Sequence, residues 1–176
     1  MATRGRHRCG WRYATCSGAV AIVLLLWTSL TLGLSGWPGE GESASACVNE
    51  TDALTGMPQG SVLFADQREL NVRIAATAEQ RAAGMQHLCP DAIAENPILF
   101  VFESPTRPRF HMNNVHGALD IVFIGTHGTI VGIKRMTPGQ RHLTTTGEPV
   151  IAALEVAAGK AESLGLTEGQ HIEWEH

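Results

Sequence analysis

The sequence predicts a mainly β fold with helices added, a barrel or sandwich in the α+β class. Roughly six to eight short runs rich in β-branched and apolar residues are separated by turn-forming clusters such as "GTHG", "TPGQ" and "TTTGE". Helical spacing is strong in one early stretch and brief in one late stretch, "GKAESLGL", without the regular strand–helix alternation of α/β proteins. The chain has 176 residues, and once an apolar block near its start is set aside there is room for one domain with a core of its own.

Residues 1–17 form a basic head, and an uncharged run follows whose apolar centre lies within residues 18–37. It reads as a signal peptide or a single membrane anchor, with the preceding arginines keeping the head cytoplasmic and sending the rest outward. The expected location is therefore the bacterial periplasm or the outer face of the inner membrane. Ala44-Ser45-Ala46 before Cys47 has the small-x-small form of a cleavage site. Cleavage, a retained anchor and lipidation of Cys47 are the three alternatives. Residues 38–60, opening with "PGEGESASA", are expected to be a flexible tether, and residues 61–176 the globular domain.

The part beyond residue 46 carries nine Lys/Arg against fifteen Asp/Glu, a net charge of −6. An acidic exported domain with no concentration of basic residues excludes nucleic acid as a partner. The partners left are the membrane through the N-terminal segment, a small molecule, or an envelope protein. Cys47 and Cys89 are the two cysteines of the exported part, and an oxidising compartment permits a disulfide between them. The other reading is one buried and one disordered thiol. Cys9 and Cys16 face the reducing side without metal-ligand spacing.

Residues 61–65 and 70–75 are short β runs around the charged turn "DQRE", an expected hairpin. Thr77 and Gln80 make a capping-box pattern, and Ala78, Ala82, Met85 and Leu88 recur at helical spacing until Cys89-Pro90 stops the helix. A helical turn at "DAIAE" precedes the apolar strand "PILFVFE", which the two prolines of "SPTRP" should end. Strands are then expected at "RFHM", "ALDIVFIG", "TIVGIKRM", "PVIAALEVA" and "QHIEWE", with "GTHGTIV" the clearest hairpin.

Several separated motifs agree in order: Arg81 and Gly84; Met112, Asn114, Leu119 and Asp120; Glu155, Gly159, Gly165 and Gly169. Through them the chain, from about residue 70 to residue 172, resembles the exported family called domain of unknown function 192. His111 stands where that family commonly has tryptophan, Asn113 where it has lysine, and Gln170 where an aspartate is usual. The resemblance implies a compact β-barrel or jelly-roll-like fold packed with a helix. It implies no activity and no cofactor.

The stretch "RFHMNNVHGALDIVFIG" holds most of the candidate functional residues: His111, Met112, Asn114, His116 and Asp120, with Arg81 as a possible anchor from the helix. Asp120 sits at the mouth of a strand apolar on both faces, so its carboxylate must be hydrogen-bonded. The expected partners are the backbone N–H groups of "NNVHG" and the guanidinium of Arg81 or Arg109. Arg81 is read as a strut for Asp120 or Glu155.

Three functions fit these residues. The leading one is a non-catalytic binding module for a small ligand or envelope partner, using the surface from His111 to His116. The second is a copper-type metal protein using His111, Met112 and His116, with His87, Met85 and Met136 as further ligands, since imidazole and thioether together suit Cu(I). The third is a hydrolase-like enzyme with Asp120 or His111 as general base and Asn114 holding an oxyanion. No nucleophile elbow and no carboxylate pair at recognisable spacing accompanies them.

Overall fold

The computed structural model describes residues 46–175. The basic head and the apolar block at 18–37 lie outside the described residues. Within them no helix is long and apolar enough to cross a membrane.

Seven strands form one curled sheet, a half-barrel: β1 (Gln59–Phe64), β2 (Glu69–Ala75), β3 (Ile98–Thr106), β4 (Leu119–Gly125), β5 (Ile130–Met136), β6 (Val150–Ala157) and β7 (Ile172–Glu175), in the order β5-β4-β6-β3-β2-β1-β7. All neighbours are antiparallel except β2 and β3. A parallel pair needs a crossover, and here it carries the helices α2 (Ala78–Ala83) and α3 (Pro90–Glu95). The two edges of the sheet meet at one end. Ile172 N–H reaches Gly128 O at 2.7 Å and Ile130 N–H reaches Gln170 O at 2.8 Å. Gly128 is required at that seam, because its φ is +73° and a Cβ there would lie 2.8 Å from Ile172 O.

The curl creates two cores. Inside it lie Val62, Ile74, Leu99, Val122, Ile124, Leu154 and Val156. On the outer face, under the helices, lie Ile98, Phe100, Ile121, Phe123 and Ala153 with Leu54, Leu88, Ile93 and Met112. Alternate residues of β3, β4 and β6 thus serve different cores, which is why these strands read as continuous apolar runs. A short helix α4 (Lys160–Ser163) adds Ala161 to the inner core.

Four expectations are corrected. The tether assigned to 38–60 is folded from its described start: Thr51 caps a turn of helix, α1 (Asp52–Thr55), and Leu54 and Met57 are buried. Those two apolar side chains help to hold a stretch whose composition reads as linker. Helix α2 stops at Gly84 (φ +48°) rather than at Cys89, and Met85 and Leu88 reach the outer core from the turn that follows. Strand β3 continues through Pro105, because its register shifts between Val101 and Thr106 and leaves the proline outside the ladder. "RFHM" is not a strand; Phe110 alone forms a bridge, to Thr144.

Cys47 and Cys89 form a disulfide, which leaves no Cys47 thiol for lipidation. Val48 pairs beside it with Leu88. The bridge closes a 42-residue separation, for which loop entropy gives a stabilisation of about 4 kcal/mol. Thermal unfolding with and without reductant should therefore differ by roughly 10 °C or more; coincident curves would show that the bridge carries no stability.

Candidate functional site

The loop at 109–117 is fastened at each step. Phe110 exchanges two backbone hydrogen bonds with Thr144, each 2.8 Å. Met112 is buried in the outer core. Asn114 takes a left-handed conformation (φ 57°), which asparagine tolerates, and its carbonyl accepts the His87 N–H at 2.7 Å. The His87 carbonyl in turn accepts the Val48 N–H at 2.8 Å, one residue from the disulfide. Asn114 Nδ2 donates to Gln86 Oε1. Asn114 is thus a corner of the loop, with its side chain engaged.

Asp120 fastens as expected, but with other partners. Arg135 Nε donates to Oδ1 at 2.5 Å and the Gly159 N–H to Oδ2 at 2.7 Å. Arg135 lies directly across the ladder from Asp120, and the carboxylate raises the guanidinium pKa above its usual value. Among the described residues Arg81 pairs with no carboxylate. Its Nη1 donates to the carbonyls of Ala76 and Val101, the latter at 3.1 Å, and its guanidinium lies 5.6 Å from the centre of the Phe102 ring. The strut role stands, with backbone carbonyls in place of Asp120 or Glu155.

Between α2 and the loop a cleft of about 200 Å³ opens onto the outer face of the sheet. Arg81, Phe100, Phe102, Arg109 and Phe110 line it, and Glu155 of β6 is at its base. Phe100 and Phe110 meet edge to face, with centroids 5.2 Å apart. Glu155 is only 4% exposed, and among the described residues no protein group hydrogen-bonds to its carboxyl. Burial alone pushes its pKa up from 4.5 to about 8, so the group is mostly protonated at neutral pH.

The cleft redistributes the candidate residues. His111 and Val115 border it, whereas Met112 and His116 do not. His111 is exposed, with Nδ1 accepting the Asn113 N–H at 3.3 Å. His116 Nε2 is buried without a partner. The proposed metal set is therefore not assembled, and Met136 and Met112 serve as core fillers. Among the described residues no three His, Cys, Asp or Glu side chains are grouped to hold an ion. Asp120 faces away from the cleft: Glu155 is paired with Ile121, its neighbour in β4, so strand alternation puts the two carboxylates on opposite faces. Asp120 and His111 cannot act on one substrate, and the hydrolase pairing is corrected on that ground.

Glu155 was within reach of sequence reasoning as the one charge in "PVIAALEVA", a carboxylate in a strand apolar on both sides.

The DUF192 profile, described as Uncharacterized ACR, matches residues 61–174. The chain belongs to the DUF192 family. Among curated proteins nothing matches it. Two solved structures share the DUF192 fold seen here. One, from Sinorhizobium meliloti 1021, is described as a candidate transcription regulator; it is 28% identical, with 66% of this chain and 92% of that chain covered and a TM-score of 0.56. The other, from Novosphingobium aromaticivorans DSM 12444, is a protein of unknown function at 25% identity, covering 67% of this chain and 85% of its own, also with a TM-score of 0.56.

A buried acid with a raised pKa makes stability fall with pH. The unfolded chain releases the Glu155 proton near 4.5 and the folded one holds it to about 8, so between those values the folded state binds the extra proton and loses about 1.4 kcal/mol per pH unit. Denaturant unfolding at pH 5, 6, 7 and 8 should show this decline in the native protein and a flatter profile in Glu155→Gln. Parallel profiles would remove Glu155 as the cause.

Proposed function

We propose that this DUF192 protein is an extracytoplasmic, non-catalytic binding module that holds a small molecule in the cleft above Glu155. The observation that carries the reading is a carboxyl with no protein hydrogen-bond partner, set in the core and reached through an aromatic-lined opening. A ligand group that hydrogen-bonds to it in this desolvated setting gains more than it would at an exposed carboxyl. A concave site with apolar walls and a few convergent polar groups has the usual make-up of a small-ligand pocket. Export is supported by the uncharged run behind a basic head and by a disulfide that suits an oxidising compartment. The N-terminal segment then tethers the module to the membrane or is removed from it. A role like that described for the Sinorhizobium protein is not adopted, since the acidic balance beyond residue 46 opposes nucleic acid.

A thermal-shift screen of a metabolite panel tests the reading. Ligands should raise the melting temperature, by the equivalent of about 2.7 kcal/mol at one hundred times Kd. The same compounds should fail on Ala82→Trp, which plugs the cleft from an exposed position on its wall. Stabilisers that act equally on the plugged variant would place binding elsewhere and overturn it.

A further inference from the structure

We propose that the cleft selects a small zwitterion, with the ligand's ammonium on Glu155 at the base and its anionic end on Arg109 at the mouth. The inference rests on the cleft being the binding site and adds the chemistry of its occupant.

Depth sets the polarity. Glu155 is 4% exposed at the base, whereas Arg109 is an exposed residue of the same lining. An ammonium group gives the carboxylate both hydrogen bonds and a counter-charge, and so satisfies it more fully than a neutral donor does. The same lining includes the rings of Phe100, Phe102 and Phe110, and aromatic faces attract a desolvated cation. One of them already does so within the protein, since the Arg81 guanidinium lies over Phe102. Arg81 is held by the carbonyls of Ala76 and Val101, while no hydrogen bond of the Arg109 guanidinium occurs among the described residues. Arg109 is therefore the guanidinium left for a ligand carboxylate. A simple amine would leave Arg109 unused and bring a third positive charge into a cleft that already has two. A simple carboxylate would pair with Arg109 and accept the Glu155 O–H, but it would leave the aromatic walls without a cation. A zwitterion meets both ends.

Neither Arg81 nor Arg109 offsets the effect of burial on Glu155, so the free protein holds its proton and binding an ammonium must release it. The proton passes to buffer and the ligand ammonium keeps its own three. Affinity should then rise by up to tenfold per pH unit between pH 6 and 8. The charged and titratable groups lining the cleft are Arg81, Arg109, His111 and Glu155, and Glu155→Gln separates the pH dependence due to Glu155 from that of the other three.

The test is calorimetry on the full chain with four probes, 4-aminobutyrate, 6-aminohexanoate, butylamine and butyrate, in two buffers of different ionisation enthalpy. Resonances of Phe100 and Phe110 locate the binding. At least one zwitterion should bind tenfold or more tightly than butylamine and butyrate, releasing close to one proton at pH 7. Glu155→Gln should abolish the proton release and weaken binding at least tenfold, and Arg109→Gln should bring the zwitterion down to the level of butylamine. Butyrate binding in the cleft without proton release would overturn the zwitterion while leaving the cleft a binding site. Butylamine matching the zwitterions would overturn the role of Arg109 and with it the proposal. Silence from all four probes would also overturn it, and the plugged Ala82→Trp variant would still decide independently whether the cleft binds anything.

Discussion

The structure depends on β4, β6 and the first three residues of β3 being buried on both faces. A strand in that position has no solvent side on which to place a charge, so each polar side chain must find a partner in one core or the other. β4 and β6 each carry one carboxylate, and the period-two alternation sends them to opposite faces. Asp120 is completed by Arg135 and the Gly159 N–H, which ties β4 to β5 and to the turn that starts α4. Glu155 meets apolar neighbours and an opening. One carboxylate therefore holds the fold together, and the other is held in place by it.

The opening exists because of how the outer face is covered. A parallel β2–β3 pair forces the chain across that face, and α2 and α3 make the crossing. The positive-φ turn at Gly84 ends α2 above Phe100, and the 109–117 loop comes down beside it. Neither element lies in the sheet, so both need other anchors. The loop is fixed through Asn114 to His87, from His87 to Val48, and from there to the disulfide. Rigidity in a loop that borders a cleft reduces the ordering cost of binding. The succession of backbone hydrogen bonds accounts for the Asn114 corner without assigning it any chemistry.

Much of this was legible in the sequence for identifiable reasons. Strands buried on both faces read as continuous apolar runs, the Thr77–Gln80 capping box marks a helix start, and "GTHGT" marks a hairpin; each is a local signal and each is found in place. The partner of Asp120 was not legible, because it depends on register. The β4–β5 register shifts by one residue between Phe123 and Ile124; counted straight from the turn, Asp120 would oppose Lys134 instead of Arg135. The His111, Met112 and His116 set looked convergent because the three are close in sequence, yet Met112 turns into the core while His111 stays on the surface. The sequence does not mark Glu155 as a site, because its importance comes from having no protein partner, and that is a property of packing.

The central claim is that Glu155 is a buried, unpaired acid in the free protein. Carboxyl-carbon NMR of the full chain labelled at glutamate, titrated from pH 4 to pH 10 and assigned with Glu155→Gln, tests it most directly. The expected result is a single glutamate resonance moving with a midpoint near 8 while the exposed glutamates titrate near their ordinary values. A Glu155 midpoint near 4.5 would mean that the carboxylate is solvated or paired, and would contradict the account.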